Sequence, residues 1–320
     1  MSQTTDTTSA FIEAQQYSNF ILSVLPTMIL PETFYRDVSD FPAGTTLNIK
    51  SVGSASIQEV EEDTALVYNA IDTGSVTLGI TDYIGDAWYV TDVLRQDGAQ
   101  IEQLLAMRAQ EATRAIQQRF ESRFLSVCNS AQTAGAVNNV NGFSHRKLGS
   151  GANDTISEND LIDLRLAFDK ANIAQAGRIG IVDPVVAATF QKYLKLSGNA
   201  DMAPRFQSVM ENGFNTDHQF VMHMHGWDIW TSNLLPEIAA SVSVDGTNST
   251  AGASVANVFM SVLDDNHKPI MNSWRQSPKV EGDRNKDRQR DEFLTTARWG
   301  VGAQRTDTLG IIVSSATATS

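Results

Sequence analysis

The chain has 320 residues, of which 42% are hydrophobic and 19% charged; this composition suits a globular core and excludes collagen-like, disordered and disulfide-scaffold proteins. Its 24 Lys and Arg residues against 37 Asp and Glu residues give a net charge of −13, which opposes broad electrostatic binding to nucleic acid or to an anionic membrane. Cys128 is the only cysteine, so neither an intrachain disulfide nor a Cys-rich zinc site can form.

The first part of the chain predicts an extended arm. Residues 1–19 are polar, rich in Ser, Thr and Gln, and show no apolar periodicity. The apolar stretch 20–31 is interrupted by Ser23, Pro26 and Thr27 and is shorter than the ~20 residues of a membrane-spanning helix. We therefore expect no membrane anchor here, and because no Lys or Arg precedes the stretch, we expect no secretory leader either.

Residues 45–93 predict a long hairpin with an acidic tip. Three β-prone runs, TTLNIKSV, VTLGITDYI and AWYVTDV, are bounded by glycines. The segment between the first two runs has few apolar residues and carries four close carboxylates, those of Glu59, Glu61, Glu62 and Asp63. Three interpretations are open for this tip: a solvated loop, a metal site, or a contact with another subunit.

The region from Asp97 to about Ser130 predicts one long helix of roughly 50 Å. Apolar residues recur there at steps of three and four, at Ile101, Leu104, Leu105, Ala112, Ile116, Phe120, Phe124 and Val127. We expect Asp97 to be the N-cap. The opposite side is charged, with Arg108, Arg114, Arg119 and Arg123 among Glu102, Glu111 and Glu121. Local spacing pairs only a few of these charges, so the arginines are partly free to pair elsewhere.

The rest of the chain predicts a mixed α/β region followed by β-rich sequence. The elements expected are a helix capped by Ser157, a buried strand at 178–182, a helix at 185–194, a hairpin at 220–231 turning at Gly226, and a buried strand at 256–263. Two β-prone stretches, 269–280 and 291–315, are joined by the charge-dense segment 281–292. The nearly balanced charges of that segment, among them Arg284, Arg288 and Arg290, form either a solvated turn or an ion-pair network across an oligomer boundary.

Signatures of catalysis are missing from the sequence. It contains no dinucleotide-binding, P-loop, nucleophile-elbow, zinc-protease or EF-hand motif, so no catalytic residue, cofactor or metal is assigned. The nearest approach to a metal site is His218, His223 and His225, because residues 223 and 225 would share one face of a strand and Asp228 could complete the set. The alternative is that these histidines form hydrogen bonds at a sheet edge. Cys128 is expected to pack as a small apolar side chain rather than act as a nucleophile.

Acidic and basic clusters of this chain complement each other between subunits better than within one. A projecting acidic tip at Glu59–Asp63 cannot easily reach a helix on the body of its own subunit. We therefore predict subunit contacts that join these carboxylates to basic residues of a neighbour, with Arg108, Arg114, Arg119, Arg284, Arg288 and Arg290 as the candidates.

The order of the predicted parts resembles the major capsid proteins of tailed bacteriophages that have the HK97 fold. The shared order is a polar arm, an acidic-tipped hairpin, an uninterrupted helix, an α/β region and a final strand pair. RIGIVDP at 178–184 is similar to the family's strand-to-helix step in the axial domain. Trp299-Gly300-Val301-Gly302, followed by Ile311-Ile312-Val313, resembles its closing strands. The resemblance covers nearly the whole chain.

This resemblance implies an α+β, HK97-like capsid fold. Its parts would be an N-terminal arm at 1–44, an extended β-hairpin loop (E-loop) at 45–95, a peripheral domain with a long spine helix at 96–150, an α/β axial domain at 151–268, and a return to the peripheral domain with the closing strands at 269–320. The E-loop would reach over a neighbouring subunit. The last strand would rejoin the axial sheet.

The function implied is a subunit that self-assembles, as hexamers and pentamers, into the icosahedral head shell around a double-stranded DNA genome. The resemblance also implies a separate scaffolding protein, a portal and, in some members, a decoration protein, with DNA as cargo that is not bound by sequence and with no membrane partner. Assembly would take place in the bacterial host cytoplasm and the product would be the virion capsid. Two alternatives stay open: an encapsulin-like compartment shell, and a soluble metalloenzyme built on His218, His223 and His225.

Overall fold

A computed structural model describes most of the chain after the predicted arm. The described residues are 30–40, 44–53, 57–60, 62–63, 65, 68, 70–71, 73–98, 101–132, 139–196, 220–238, 243–244, 247–248 and 253–317. Most of the arm, at 1–29, lies outside them. None of the helices found within these ranges is both long enough and apolar enough to cross a membrane.

The described residues form four α-helices, seventeen strands and two short 3-10 helices. The helices are α1 Asp92–Asp97, α2 Ile101–Ala131, α3 Glu158–Lys170 and α4 Pro184–Leu196, with 3-10 turns at Glu32–Phe34 and Ala152–Asp154. The first eight strands are β1 Arg36–Asp37, β2 Thr46–Val52, β3 Thr73–Gly79, β4 Asp82–Thr91, β5 Asn139–Val140, β6 Phe143–Ser144, β7 Arg146–Leu148 and β8 Arg178–Val182. The others are β9 Phe220–Met224, β10 Trp227–Thr231, β11 Glu237–Ile238, β12 Ser243–Val244, β13 Thr247–Asn248, β14 Ser254–Ser261, β15 Ile270–Asn285, β16 Arg290–Ala303 and β17 Leu309–Ser315.

One sheet has four strands in the order β1-β15-β16-β4 and is built around a long hairpin. Strands β15 and β16 pair antiparallel from Ile270↔Ala303 to Asn285↔Arg290, and β4 adds to β16 along its whole length. The spine helix α2 packs on this sheet, with Ile116 and Phe120 against Trp299. Aromatic rings fill this contact: the ring centroids of Phe120 and Trp274 lie 4.8 Å apart, with the two planes tilted by 31°.

The other large sheet has seven strands, six of them in the order β7-β17-β14-β8-β10-β9, while β11 pairs with β14. Its central strands β8, β14 and β17 are buried along their full length, as expected for strands covered on both faces. Helices α3 and α4 cover one face, through residues such as Phe168 and Phe190. The C-terminal half of α2 covers the opposite face through Phe124 and Leu125, so the spine helix joins the two sheets.

The E-loop stem is a separate two-stranded ladder of β2 and β3. Seven residue pairs, from Thr46↔Gly79 to Val52↔Thr73, give the stem a length of about 23 Å. Its base crosses β16 at Gly300, where an added Cβ would lie only 2.3 Å from the carbonyl oxygen of Gly79. This close approach of two backbones requires glycine at position 300.

Several sequence predictions are confirmed at residue level. Ser157 caps α3 in a capping box, in which its hydroxyl accepts from the Asp160 N–H and the Asp160 carboxylate accepts from the Ser157 N–H. The hairpin of β9 and β10 turns at His225 and Gly226, both with positive φ, as a two-residue turn requires. Strand β17 lies between β7 and β14, so the last strand joins the sheet that contains β8, the strand of the RIGIVDP segment.

The long helix predicted from Asp97 to about Ser130 is confirmed as α2, Ile101–Ala131, but its predicted start at Asp97 is wrong. The chain forms α1 first, capped by Thr91, whose hydroxyl accepts from the Leu94 N–H; Asp97 is the last residue of that helix instead of an N-cap. Gly98 then takes an extended conformation, which ends α1 before α2 begins at Ile101. Residues 92–93, assigned by sequence to a β-prone run, therefore belong to α1.

The connection between β15 and β16 is shorter than the charge-dense segment 281–292 that was expected to join them. Most of it continues β15 and β16, and the chain reverses direction only between Asn285 and Arg290. The charge pattern predicts a longer turn than the structure has, because the β15 side of this segment is exposed and the β16 side is only half-buried, so no apolar alternation marks either strand.

Candidate assembly surfaces

The E-loop carries large apolar side chains that are exposed to solvent in the isolated subunit. Ile57 is 95% exposed and Tyr68 is 97% exposed, and Val60 and Ile71 are also largely exposed. A cluster of exposed apolar groups on a projecting segment is typical of an interaction site. In the stem, by contrast, Leu78 is buried, so the hairpin is anchored at its base and open at its tip.

The predicted carboxylates lie on the same projecting loop. Glu59, Glu62 and Asp63 are exposed, and Asp63 has a positive φ of 65°, which suits a tight turn. Glu61 lies outside the described residues. The tip therefore combines negative charge with apolar surface.

Most of the predicted arginines of the spine helix are paired within their own subunit. Arg108 donates to Asp86 at 2.7 Å, and Arg114 donates to Glu111 at 2.9 and 2.5 Å. Burial of Glu111 is slight, and the hydrogen bond from Arg114 lowers the pKa of its carboxyl. Arg119 differs, because this exposed side chain forms no ion pair with any residue that the structure describes.

The end of the long hairpin holds a second ion-pair cluster. Arg284 donates to both carboxylate oxygens of Asp92, at 2.9 and 2.7 Å, and to Asp291 at 3.1 Å. Arg95 reaches the same Asp291 at 2.5 Å, so the cluster ties α1 to the hairpin. Hydrogen bonding from Arg284 lowers the pKa of Asp92. Because the cluster is exposed, it orients α1 more than it stabilises the fold.

The two remaining arginines of the hairpin end behave differently from each other. Arg290 donates to Glu292 at 2.7 Å and lies over the ring of Tyr89, 4.3 Å from its centroid. Arg288 sits in the exposed turn and has no ion pair among the described residues. Of the six predicted basic residues, Arg119 and Arg288 are thus the two without a carboxylate partner in the described parts of this subunit.

Glu121 is a functional candidate that sequence reasoning missed. It was placed on the polar side of the spine helix, but it is only 3% exposed. Its carboxylate accepts from the Leu30 N–H at 2.9 Å and from the Ser232 hydroxyl at 2.7 Å, and burial raises its pKa. Glu121 thus connects the arm, the spine helix and the end of β10. Its spacing of four from Leu125 and seven from Cys128 was the signal that it lies on the inward face.

Comparison with known proteins decides the family. A sequence model of a phage capsid protein family matches residues 74–314, about three quarters of the chain. The chain belongs to this phage capsid protein family. The matched range runs from β3 to β17 and so includes the spine helix, the seven-stranded sheet and every strand of the four-stranded sheet except β1.

Solved capsid structures share the fold of this capsid protein. It is similar to a chain from the capsid of Cyanophage P-SCSP1u, with 15% identity, a TM-score of 0.69, and coverage of 98% of this chain and 95% of that one. A chain from the mature capsid of bacteriophage PhiM1 has 11% identity and a TM-score of 0.69, covering 96% and 93%. A chain from the capsid of Ralstonia phage GP4 has 10% identity and a TM-score of 0.66, covering 96% and 97%. No curated protein matches the sequence.

The fold and the family agree with the predicted HK97-like capsid architecture, and the protein is a major capsid protein, a structural subunit of the virion shell that assembles with copies of itself. The family match favours this role over the encapsulin-like compartment and over the metalloenzyme.

The structure of the capsid protein does not bring the three candidate metal-binding histidines together on one strand face. His225 lies in the turn rather than on a strand, so it does not share a strand face with His223 as predicted. His223 contacts Asp228 at 2.6 Å and His225 contacts Glu158 at 2.7 Å, while His218 lies outside the described residues. Within the described ranges no three His, Cys, Asp or Glu side chains are grouped to hold a metal.

The prediction for Cys128 is confirmed. The thiol is fully buried in the core between the spine helix and the seven-stranded sheet. Burial raises its pKa far above the usual range, so the reactive thiolate does not form at neutral pH.

Proposed function

We propose that this protein forms the icosahedral head shell of a tailed bacteriophage, through hexamers and pentamers, and encloses a double-stranded DNA genome. The observation that carries this proposal is the nearly complete exposure of Ile57 and Tyr68 on the projecting E-loop. Such side chains stabilise the protein only when another subunit covers them. The proposed role is structural, without catalysis, and assembly takes place in the host cytoplasm.

The proposed partners follow from the same role. Copies of the chain form the shell, a separate scaffolding protein guides assembly, and a portal occupies one vertex; a decoration protein is an additional partner. DNA is cargo rather than ligand, because a net charge of −13 gives the wall little affinity for a duplex and lets it slide.

We divide the chain into an arm at 1–44, the E-loop at 45–95, a peripheral domain at 96–150, an axial domain at 151–268 and a return segment at 269–320. Two sheets on one spine helix support a division into peripheral and axial parts. Strands β15 and β16 of the return segment belong to the four-stranded sheet, whereas β17 belongs to the seven-stranded one.

The subunit contacts proposed for the charged residues can be ranked by their intrachain pairing. Arg108, Arg114, Arg284 and Arg290 already hold carboxylates of their own subunit. If these arginines paired with a neighbour instead, one ion pair would replace another, and the free energy of association would gain little. Arg119 and Arg288 are the better candidates to receive the E-loop carboxylates Glu59, Glu61, Glu62 and Asp63.

Charge reversal at the loop tip tests the proposal. We expect Glu59→Lys with Glu62→Lys to reduce the yield of particles while the unfolding temperature of the isolated subunit stays unchanged, because both side chains are exposed in the subunit and the proposed contact is with a neighbour. Glu59→Gln with Glu62→Gln should give an intermediate yield. Particle yield is measured by sedimentation of the protein expressed with its assembly partners.

Glu237→Lys is the matched control, since it reverses one exposed charge away from the E-loop. A normal particle yield for the double Lys variant at moderate salt contradicts the proposed contact. Digestion of the purified particles distinguishes the cargo: protein in place of double-stranded DNA would support the compartment role instead.

A further inference from the structure

Strand β4 forms one edge of the four-stranded sheet. The Asp92 N–H donates to the Gln289 carbonyl at 3.1 Å, one pair beyond the end of the β4–β16 register. Because hydrogen-bonded pairs alternate along an antiparallel ladder, even-numbered residues of β4 bond to β16, and odd-numbered residues point their N–H and C=O groups away from it. The outward positions, all of them exposed and without a strand partner among the described residues, are Tyr83, Gly85, Ala87 and Tyr89.

The two edges of this sheet are built differently. The outer side of β15 pairs with β1 over two residues only, and beyond them β15 carries Pro278 and two register shifts. Proline and bulges on an edge strand hinder pairing with a further strand. Strand β4 has neither, since its register with β16 continues without a shift over all ten residues. Its two carboxylates, those of Asp82 and Asp86, pair with Arg123 and Arg108 of α2. The edge of β4 is therefore open to one more strand.

The E-loop stem has a second open edge, on β2. The Ile80 N–H donates to the Thr45 carbonyl at 2.9 Å, one pair beyond the β2–β3 register, so odd-numbered residues of β2 bond to β3 and even-numbered residues point outward. The outward positions, all of them exposed, are Thr46, Asn48, Lys50 and Val52. A ladder of only two strands is marginally stable in water, so a third strand would stabilise the stem.

The residue alternation of the two edges fits an antiparallel pair. Directly opposite residues of such a pair share a face, so the outward residues of β2 would lie beside the outward residues of β4 on the exposed face. Leu47 and Ile49, which alternate with them, would then lie on the same face as Ile84 and Trp88. Parallel pairing would shift this alternation by one residue and place the apolar side chains of β2 on the exposed face.

The antiparallel direction also agrees with the charges. Strand β2 runs from the base of the E-loop towards its tip, so on β4 it would direct the tip carboxylates past the Asp82 end. Arg123 of α2 donates to Asp82 at 3.2 Å, and Arg119 lies about one helical turn before Arg123. Arg119 is exposed and has no ion pair among the described residues. The acidic tip of a second copy would therefore approach this arginine.

We propose that β2 of a second copy pairs antiparallel with the open edge of β4, so that the E-loop stem of a neighbour extends the four-stranded sheet. With the outward residues in full overlap, Asn48 lies opposite Ala87 and Val52 lies opposite Tyr83. This inference rests on the proposed shell and names the surface of the neighbour that receives the E-loop stem.

Disulfide cross-linking in assembled particles tests the proposal. Residues of a hydrogen-bonded antiparallel pair have Cα atoms about 5.5 Å apart, within the roughly 4.4–6.8 Å that a disulfide spans. In the full-length chain, expressed with its assembly partners and then oxidised, Ala87→Cys is combined in turn with Thr46→Cys, Asn48→Cys, Lys50→Cys and Val52→Cys. Cys128 does not interfere, because it is fully buried. We expect one combination, that with Asn48→Cys for full overlap, to give about tenfold or more linked chains in particles than in unassembled subunits on a non-reducing gel.

Two further cysteine variants check the direction and the face. The β2 partner of Tyr83→Cys should lie nearer the E-loop tip than the partner of Ala87→Cys, and the reverse order overturns the proposal. Ser51→Cys is the matched control, since Ser51 is exposed on β2 but lies on the other face, and it should link to Ala87→Cys about tenfold less.

Other pairings of the β4 edge would give different links. Linking of Ala87→Cys by itself would mean that two β4 strands pair with each other, and linking to Ser75→Cys would mean that β3 is the partner. Either result overturns the proposal, as does the absence of links to all four β2 positions in intact particles. Failure of the native chain to form particles with its partners would instead overturn the proposed shell.

Ala87→Pro tests the backbone hydrogen bonds directly. It removes an outward N–H and leaves the bonds to β16 in place, which an edge strand tolerates. We expect the subunit concentration needed for assembly to rise about tenfold relative to Ala87→Ser, which keeps the N–H, while the two isolated subunits unfold at similar temperatures. Equal assembly of the two variants overturns the proposal.

Discussion

The exposed apolar residues of the E-loop allow folding to be separated from assembly in one experiment. Ile57 and Tyr68 are almost fully exposed in the subunit. Replacing both by Ser therefore removes no contact on which the fold depends. We expect the isolated Ile57→Ser, Tyr68→Ser variant to unfold at the same temperature as the native subunit.

The expected effect on assembly follows from the area that a neighbour would cover. Full burial of a large apolar side chain contributes about 1.5–3 kcal/mol, so two such residues contribute about 3–6 kcal/mol to each contact of an E-loop with a neighbour. With 1.4 kcal/mol for each factor of ten, the association constant of that contact falls by a factor of about 10²–10⁴. Every subunit of a closed shell repeats the contact, so the loss recurs throughout the particle.

Sedimentation gives the particle yield as a function of subunit concentration, and circular dichroism gives the unfolding temperature of the subunit. Leu78→Ser is the reference variant for a folding defect, because Leu78 at the base of the same hairpin is 1% exposed. That variant should lower the unfolding temperature before it affects assembly. An unchanged concentration threshold for Ile57→Ser, Tyr68→Ser would refute the reasoning, and so would a fall in its unfolding temperature.

Two further predictions concern the fold that supports these surfaces. Burial raises the pKa of Glu121, so its folded state binds a proton more tightly than its unfolded state, and its effect on stability becomes less favourable as pH rises above the ordinary value of 4.5. Glu121→Gln, whose amide oxygen can accept from the Leu30 N–H and whose NH2 group can donate to the Ser232 hydroxyl, should therefore gain unfolding temperature relative to the native protein as pH increases from 4.5 to neutrality; a constant difference across that range would contradict this. Gly300→Ala should cost about 1–3 kcal/mol in urea unfolding, because its Cβ would meet the Gly79 carbonyl oxygen, whereas Gly79→Ala, whose Cβ has ordinary contacts, should be tolerated. Equal stability of the two alanine variants would show that the hairpin base moves freely.

Sequence patterns predict the elements that are determined by residues close together in the chain. The capping box at Ser157, the apolar run at 178–182 and the turn at Gly226 each depend on neighbouring residues, and each was placed correctly. The order of these elements was sufficient to identify the fold. The break at Gly98 was missed because one glycine between two helical segments is a weak signal beside a strong apolar period.

Long-range partners could not be predicted in the same way. Arg284 pairs with Asp92, 192 positions away, and Glu121 meets the backbone of Leu30, 91 positions away. Residue type and spacing showed that these charges exist, but not which of them the fold brings together. The candidate surface was therefore predicted as a set of charged residues, and only the structure separates those already paired from Arg119 and Arg288.

The intrachain pairing of these arginines bears on how much ion pairs and apolar contacts each contribute to the free energy of subunit association. Four of the six candidate arginines pair within their own subunit, so the ionic contribution available between subunits is small. Each subunit also carries a net charge of −13, and like charges on neighbours repel at close range. If the proposed contacts form, we expect most of the free energy of association to come from covering apolar groups such as Ile57 and Tyr68. Charge pairs between Glu62 and Arg119 or Arg288 would instead select the correct register of the E-loop on its neighbour.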